Sequence, residues 1–233
     1  MCKPVTHVLF DMDGLLLDTE RLYTEAAQTI AGRFGKDYSW DVKVRVMGAT
    51  GRDSARMVVE LLDLPLSVDQ YLAEVEALYA QLFPSAQLMP GAERLVRHLH
   101  RHGVPMAVAT SSKRESFLLK TSGHRELFGL LGHVVCGSSD PDVLRGKPFP
   151  DIFLLAASRF QPAPEPPQAL LHVHVLVLED SPNGVEAALA AGMQVVLVPD
   201  PRLDQASRSR ATLCLPSLLD SEPQAFGLPP YDS

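Results

Sequence analysis

Asp11-Met12-Asp13-Gly14 sets two carboxylates two residues apart, directly after the apolar run Val5–Phe10. Carboxylates at i and i+2 of an extended segment can point the same way. Gly14 permits a tight turn beside them. Such a pair repels unless a cation lies between the two groups or one is protonated. The first outcome suits metal-assisted attack by a carboxylate, the second suits proton transfer. An acidic turn after a strand is the plainer alternative. A calcium loop is excluded, because its glycine belongs at the sixth position and an acidic or amide residue at the fifth. Here Gly14 comes fourth and Leu15 fifth.

Three further groups follow. Thr110-Ser111-Ser112 comes after the run Val104–Ala109 and offers hydroxyls and backbone N–H groups of the kind that hold phosphate at a helix start; a simple N-cap would use the same residues. Gly146-Lys147-Pro148 places a lysine before a helix. It is not a P-loop, since Pro141 and Pro148 stand where that motif needs Gly and Ser/Thr. Glu179-Asp180 closes Leu176-Val177-Leu178 and supplies hard oxygen ligands of the kind magnesium takes, or an acidic helix start. Each plain alternative is reasonable singly. All four in this order, each near a strand end, point to phosphate chemistry with a divalent metal.

The elements that must position these residues are legible in the hydrophobic pattern. Val5–Phe10, Val104–Ala109, His133–Cys136, Val173–Leu178 and Val195–Val198 are short, valine-rich runs and read as buried parallel strands. Between them, Ala92–His102 ends at Gly103, a good left-handed cap. Asp151–Phe160 follows Pro150, and Pro182–Ala191 follows the N-cap candidate Ser181. This alternation predicts an α/β fold with a doubly wound parallel sheet. Residues 17–86 break the rhythm: Leu22, Ala26 and Ile30 recur every four residues, and Met57–Leu64 and Tyr71–Phe83 are helical in pattern. The chain therefore divides into a core of residues 1–16 and 87–233 and a helical insert of residues 17–86. Val42, Val44 and Val46 fit either a strand or a helix. Pro162–Pro167 reads as a surface loop. His98 and His102 lie one helical turn apart, where a metal pair or a favourable helix end would look alike; His172 and His174 would share one strand face.

The 233 residues are 46% hydrophobic and 21% charged, near the globular average, with net charge −7. Such acidity argues against nucleic-acid binding, which needs clustered Lys and Arg. Cys2, Cys136 and Cys214 are odd in number and unpaired in spacing, which fits a reducing compartment. Met1–His7 holds no signal-like apolar run, and no apolar stretch reaches the about 20 residues that span a bilayer. A cytoplasmic monomer without membrane or nucleic-acid partners is expected.

The ordered set of Asp-x-Asp, Thr/Ser, Lys and an acidic pair resembles the haloacid-dehalogenase superfamily of phosphatases, and the insert resembles their helical C1 cap. The similarity runs from about Pro4 to Tyr231. Within the superfamily, Phe10–Arg21, Leu88–Glu93 and Asn183–Pro199 resemble the branch that acts on pseudouridine 5′-phosphate. Phe149 stands where that branch usually has an acidic residue, and Gly137–Arg145 and Gln161–Val175 differ from it. The resemblance implies a phosphomonoester hydrolase. Asp11 would be the nucleophile, Asp13 the general acid/base, and Thr110, Ser111 and Lys147 the phosphate ligands. Mg2+ would be held by Asp11, Asp13 (through its carbonyl), Asp180 and Glu179. The implied substrate is a phosphorylated small molecule, a modified nucleotide. A sugar-phosphate phosphatase, a β-phosphoglucomutase-like phosphotransferase and an inactive binding protein are the alternatives. The cap segment Gly48–Asp53 is expected to reach the site.

Overall fold

The computed structural model describes residues 2–46, 51–161 and 174–232. Strands β1 (His7–Phe10), β2 (Met106–Thr110), β3 (His133–Cys136), β4 (Val175–Glu179), β5 (Gln194–Leu197) and β6 (Leu213–Cys214) form one parallel sheet. Their order is β3-β2-β1-β4-β5-β6. Every residue of β1, β2, β4 and β5 is buried. This follows from valine-rich runs covered on both faces. Alternate residues go to opposite faces. Val8, Phe10, Val108, Leu176 and Leu178 join one apolar cluster, while Leu9, Ala107, Ala109 and Val177 join the other.

The helices account for the cover. After β1 come α1 (Thr19–Gly32), α2 (Trp40–Val46), α3 (Gly51–Leu61), α4 (Val68–Leu82) and α5 (Ala92–Arg101). Then follow α6 (Arg114–Lys120), α7 (Arg125–Phe128), α8 (Asp151–Ser158), α9 (Pro182–Ala190) and α10 (Gln205–Arg208). On one face of the sheet lie Leu95, Val96 and Leu99 of α5; on the other lie Phe153 of α8 and Ala187 of α9. Helices on both faces of a parallel sheet make the doubly wound architecture that the pattern predicts. Gly103 has φ +64° after α5, as a left-handed cap requires. The Ser181 side chain accepts a hydrogen bond from Gly184 N, so it does cap α9.

The helical block between β1 and α5 carries its own apolar cluster, including Ala26, Ile30, Val46, Val58, Tyr71 and Val75. The Val42–Val46 ambiguity resolves as helix. Helix α4 opens with a reciprocal capping box between Ser67 and Gln70. Where the block leaves and rejoins the sheet, the two chain segments run side by side. Asp18 N donates to Gln87 O at 2.8 Å and Met89 N donates to Leu16 O at 2.9 Å. Leu17 bridges to both Asp13 and Leu88. The positions Gly48–Thr50, the loop Pro162–Pro167, His172 and Val173 lie outside the described residues.

β1 lies at the centre with β2 and β4 on either side, and its register sets Phe10 against Val108 and Leu178. The residues that follow these three strands therefore meet at one sheet edge. In open α/β sheets the crevice beyond the carboxyl ends, where the strand order reverses, is where ligands bind.

Candidate active site

Asp11 is the first residue beyond β1. Its N–H donates to the Leu178 carbonyl at 3.0 Å, so the sheet ladder itself fixes its backbone. Its side chain is buried, and Oδ1 accepts a hydrogen bond from Lys147 Nζ at 2.5 Å. The same ammonium donates to Glu179 Oε1 at 2.6 Å and to the Ala109 carbonyl at 3.1 Å. All three donors of Lys147 are thereby used. Glu179, fully buried at the end of β4, accepts on its other oxygen from Asp180 N, Ser181 N and Ser181 Oγ at 3.0–3.2 Å. Carboxylate oxygens of Asp11, Glu179 and Asp180 lie within 4.8 Å of one another.

Three carboxylates thus face one lysine, Asp11 and Glu179 buried and Asp180 partly so. Burial, opposed by Lys147 and reinforced by Glu179 and Asp13, pushes Asp11 up to about 7. Burial, with Asp11 and Glu179 adding to it, raises Asp180 well above the carboxylate range. Burial works against the charge on Lys147, yet Asp11 and Glu179 outweigh it and hold the ammonium above its ordinary value. The excess negative charge and the all-oxygen donor set fit a hard divalent cation. Gly14 keeps the space open: at its φ of +80°, a Cβ would lie 2.3 Å from Asp180 Oδ2.

Asp13 belongs to a different network. Its Oδ1 accepts from Thr19 Oγ1 at 2.6 Å and from Lys120 Nζ. Its Oδ2 accepts from Ser112 Oγ at 2.8 Å and Thr110 Oγ1 at 3.2 Å. Burial alone would raise Asp13, but the Lys120 charge and these donors win, and its carboxyl lies below the ordinary value. Asp11 and Asp13 therefore have opposite environments, one crowded by carboxylates and one by donors. Environments of this kind push the proton affinities of two neighbouring carboxyl groups apart, as acid–base chemistry at one site requires.

The other expected residues fall out as follows. Thr110 is fully buried and its hydroxyl turns to Asp13. Ser111 is exposed, and its carbonyl accepts from Ser138 Oγ at 2.6 Å. Asp53 is exposed on α3 and pairs with Arg56. His98 is buried, bonds the Pro229 carbonyl at 2.9 Å and packs against His102 and Tyr231, a packing role rather than a metal pair. His174 is near the Pro4 carbonyl at 3.3 Å.

Residues 8–198 match the family pattern described as haloacid dehalogenase-like hydrolase. The chain belongs to that family. It is 54% identical over 229 residues to a probable pseudouridine-5′-phosphatase of Drosophila melanogaster, covering 98% of this chain and 96% of the relative. It is 48% identical over 230 residues to (DL)-glycerol-3-phosphatase 2 of Arabidopsis thaliana, covering 98% and 93%. A crystal structure of a HAD family hydrolase from Deinococcus radiodurans, with bound phosphate and sodium, superposes with a TM-score of 0.78 at 26% identity, covering 98% and 99%. This protein is a phosphatase of the haloacid dehalogenase-like family.

Within that family site, the sequence pattern misses Lys120, Thr19 and the hydroxyl of Ser112 as partners of Asp13, and Tyr23 as a partner of Lys120. A lysine in the last turn of a helix ordinarily reads as a solvated end charge. One signal is present: Lys120 stands three residues after the buried Phe117 and so shares its helix face. Beside the carboxylates, Glu20, Trp40, Lys43, Asp180, Asp200 and Leu203 line a crevice. Lys43 Nζ pairs with Glu20 at 2.9 Å, and the Arg202 guanidinium stacks 3.7 Å above the Trp40 ring. The helical block and the sheet edge share this crevice.

Proposed function

We propose that the chain hydrolyses pseudouridine 5′-phosphate through an aspartyl-phosphate on Asp11, with residues 17–86 acting as a cap over a core of residues 1–16 and 87–233. The chemistry rests on one observation: Asp11 is buried at the strand edge with one oxygen held by Lys147 and with Glu179 and Asp180 alongside. Lys147 orients the Asp11 carboxylate and leaves its second oxygen for attack. The Asp11–phosphorus bond forms as the ester P–O bond breaks. The departing alkoxide takes its proton from Asp13. In the second half, Asp13 takes a proton from water, whose oxygen attacks phosphorus and releases phosphate from Asp11. Asp13 stands ready as the base, since its donors favour the ionised form. An incoming phosphate dianion raises its proton affinity for the acid step.

Asp11, Asp180 and the Asp13 carbonyl would hold Mg2+, with Glu179 next to them. The ion, when bound, neutralises charge on the transferring phosphoryl group. Thr110, Ser111 and Lys147 would hold phosphoryl oxygens. For Thr110 and Lys147 this requires exchange of a present partner, since their hydrogen bonds now go to Asp13 and to the carboxylates.

The substrate choice is supported by the whole-length similarity to the Drosophila melanogaster relative. Pseudouridine joins base to ribose by a carbon–carbon bond and frees an additional ring N–H. An acceptor built for that N–H can discriminate against uridine by several orders of magnitude. The similarity to the Arabidopsis thaliana glycerol-3-phosphatase favours a second reading, a smaller alcohol ester. Comparison of kcat/KM for pseudouridine 5′-phosphate, uridine 5′-phosphate and glycerol 3-phosphate separates them. A clear preference for the first is expected; a preference for glycerol 3-phosphate would transfer the substrate assignment. On every substrate, folded Asp11→Asn should lose turnover, and substantial residual activity would remove the covalent mechanism.

A further inference from the structure

Lys120 ends α6, and its side chain is fully buried. Its Nζ donates to Asp13 Oδ1, to Tyr23 Oη at 2.7 Å and to Ser112 Oγ at 2.8 Å. An ammonium has three donors, so none remains for a ligand. The rings of Tyr23 and Phe83 lie 4.8 and 4.7 Å from the same nitrogen and complete its surroundings. Tyr23 belongs to α1 and Phe83 directly follows α4. The lysine therefore touches the catalytic carboxylate on one side and both ends of the helical block on the other.

A lysine is almost never fully buried unless paired. If stability were the whole explanation, a well-packed apolar residue would serve as well, because a buried ion pair seldom exceeds an apolar substitute. A phosphate-binding role would need the ammonium to face the open side of Asp11, as that of Lys147 does, whereas Lys120 is enclosed between Asp13, Ser112 and the rings of Tyr23 and Phe83. We infer that Lys120 is a positioning residue for Asp13, holding the acid/base carboxylate from behind and tying its placement to the helical block through Tyr23 and Phe83. The inference rests on the reading of Asp13 as general acid/base given above.

The consequence is a dependence on the leaving group. An alkyl ester leaves as an alkoxide and needs the proton from Asp13. A nitrophenyl ester leaves as a stable anion and does not. The value of kcat/KM covers the steps through departure of the leaving group, so it isolates the acid role. Lys120→Met keeps the length and volume of the side chain and removes its charge and donors. We expect this variant to lose about 100-fold or more in kcat/KM on the alkyl ester, within the range general acid catalysis supplies. The alkyl ester is whichever of pseudouridine 5′-phosphate and glycerol 3-phosphate the unaltered protein turns over faster. On p-nitrophenyl phosphate the loss should stay within about 3-fold. Equal losses on both esters, in a variant whose circular dichroism is unchanged, would overturn the proposal in favour of a structural role.

Should Lys120→Met fail to fold, Tyr23→Phe carries the same test, because it deletes one hydroxyl and no charge. A loss confined to the alkyl ester supports the tie. An equal loss on both esters, or none on either, overturns it. Retained activity in Asp11→Asn would instead remove the underlying mechanism, so the two failures are distinguishable.

Discussion

A methyl group at position 184 would lie 1.8 Å from the Glu179 Cδ atom. Helix propensity alone favours alanine over glycine by about 0.8–1.0 kcal/mol. The clash outweighs it, since overpacking a dense interior typically costs about 1–3 kcal/mol, and more where a buried charge must move. Gly184→Ala should therefore destabilise the protein by about 2 kcal/mol or more, read as a lower urea midpoint, and should weaken divalent-cation binding by displacing Glu179 from Lys147. A stabilised variant would show that the helix start yields more easily than its geometry indicates. At this scale the sequence is informative where chemistry sits on strand ends. Asp11, Asp13, Glu179, Asp180 and Lys147 are recognisable because few structural roles call for acids and a lysine at those points. Gly184, Lys120 and Tyr23 are not, because their function depends on what lies across space from them. A buried lysine at a helix end is written with the same letter as a solvated one.

Helix α9 links packing to chemistry. Its N-cap Ser181 accepts from Gly184 N at 3.1 Å and donates to Glu179 Oε2 at 3.0 Å, so one hydroxyl fixes both the helix start and the acidic cluster. Loss of an N-cap costs about 1 kcal/mol, and loss of a hydrogen bond to a charged group about 1.5–3 kcal/mol. Ser181→Ala should cost about 2–3 kcal/mol in chemical denaturation, and Ser181→Thr far less. A cost for the alanine variant below about 0.5 kcal/mol would mean that water replaces the hydroxyl at both partners. The element pattern was largely legible here: strand runs, the Ser181-Pro182 start and Gly103 all stand as expected. The residual differences are the two-residue edge strand β6 and the short helices α6, α7 and α10, which no apolar run announced, and the strand ends. Thr110 and Glu179 lie within β2 and β4 rather than beyond them, because backbone pairing continues while polar side chains turn into the site. Residues 42–46 could not be assigned from periodicity, since valines at i and i+4 satisfy both a helix face and a strand face. Packing against the helical block decided the matter.

Over the whole molecule, the three carboxylates around one lysine make the fold itself sensitive to a cation. An ion that binds only the folded state at 100 times its Kd adds about 2.7 kcal/mol. For a chain of this size that is about 5–10 °C in Tm. Thermal melts in magnesium against excess chelator should show a rise of this order, and Asp180→Asn should cut it to less than half. Equal melting temperatures in both buffers would argue that Lys147 already balances the cluster. The fold class was legible because a doubly wound sheet writes its strands as separate valine runs. The helical block was legible as an interruption of that rhythm. The way its two ends converge on Asp13 was not, because that depends on pairing between Leu16–Asp18 and Gln87–Met89, more than 60 residues apart in order.

That pairing has a consequence for how such a chain can diverge. The segments leaving and rejoining the sheet are already clasped to each other, so whatever lies between them closes a loop whose ends are held in advance. The entropy of closing a longer loop rises only slowly with its length. Residues between the clasped positions can therefore be replaced, lengthened or shortened with little effect on β1 and its two neighbours, provided that Thr19, Tyr23 and Phe83, which reach the surroundings of Asp13, are kept. The remainder of the block is then free to diverge as a cassette, while the few contacts behind Asp13 must travel with the sheet edge.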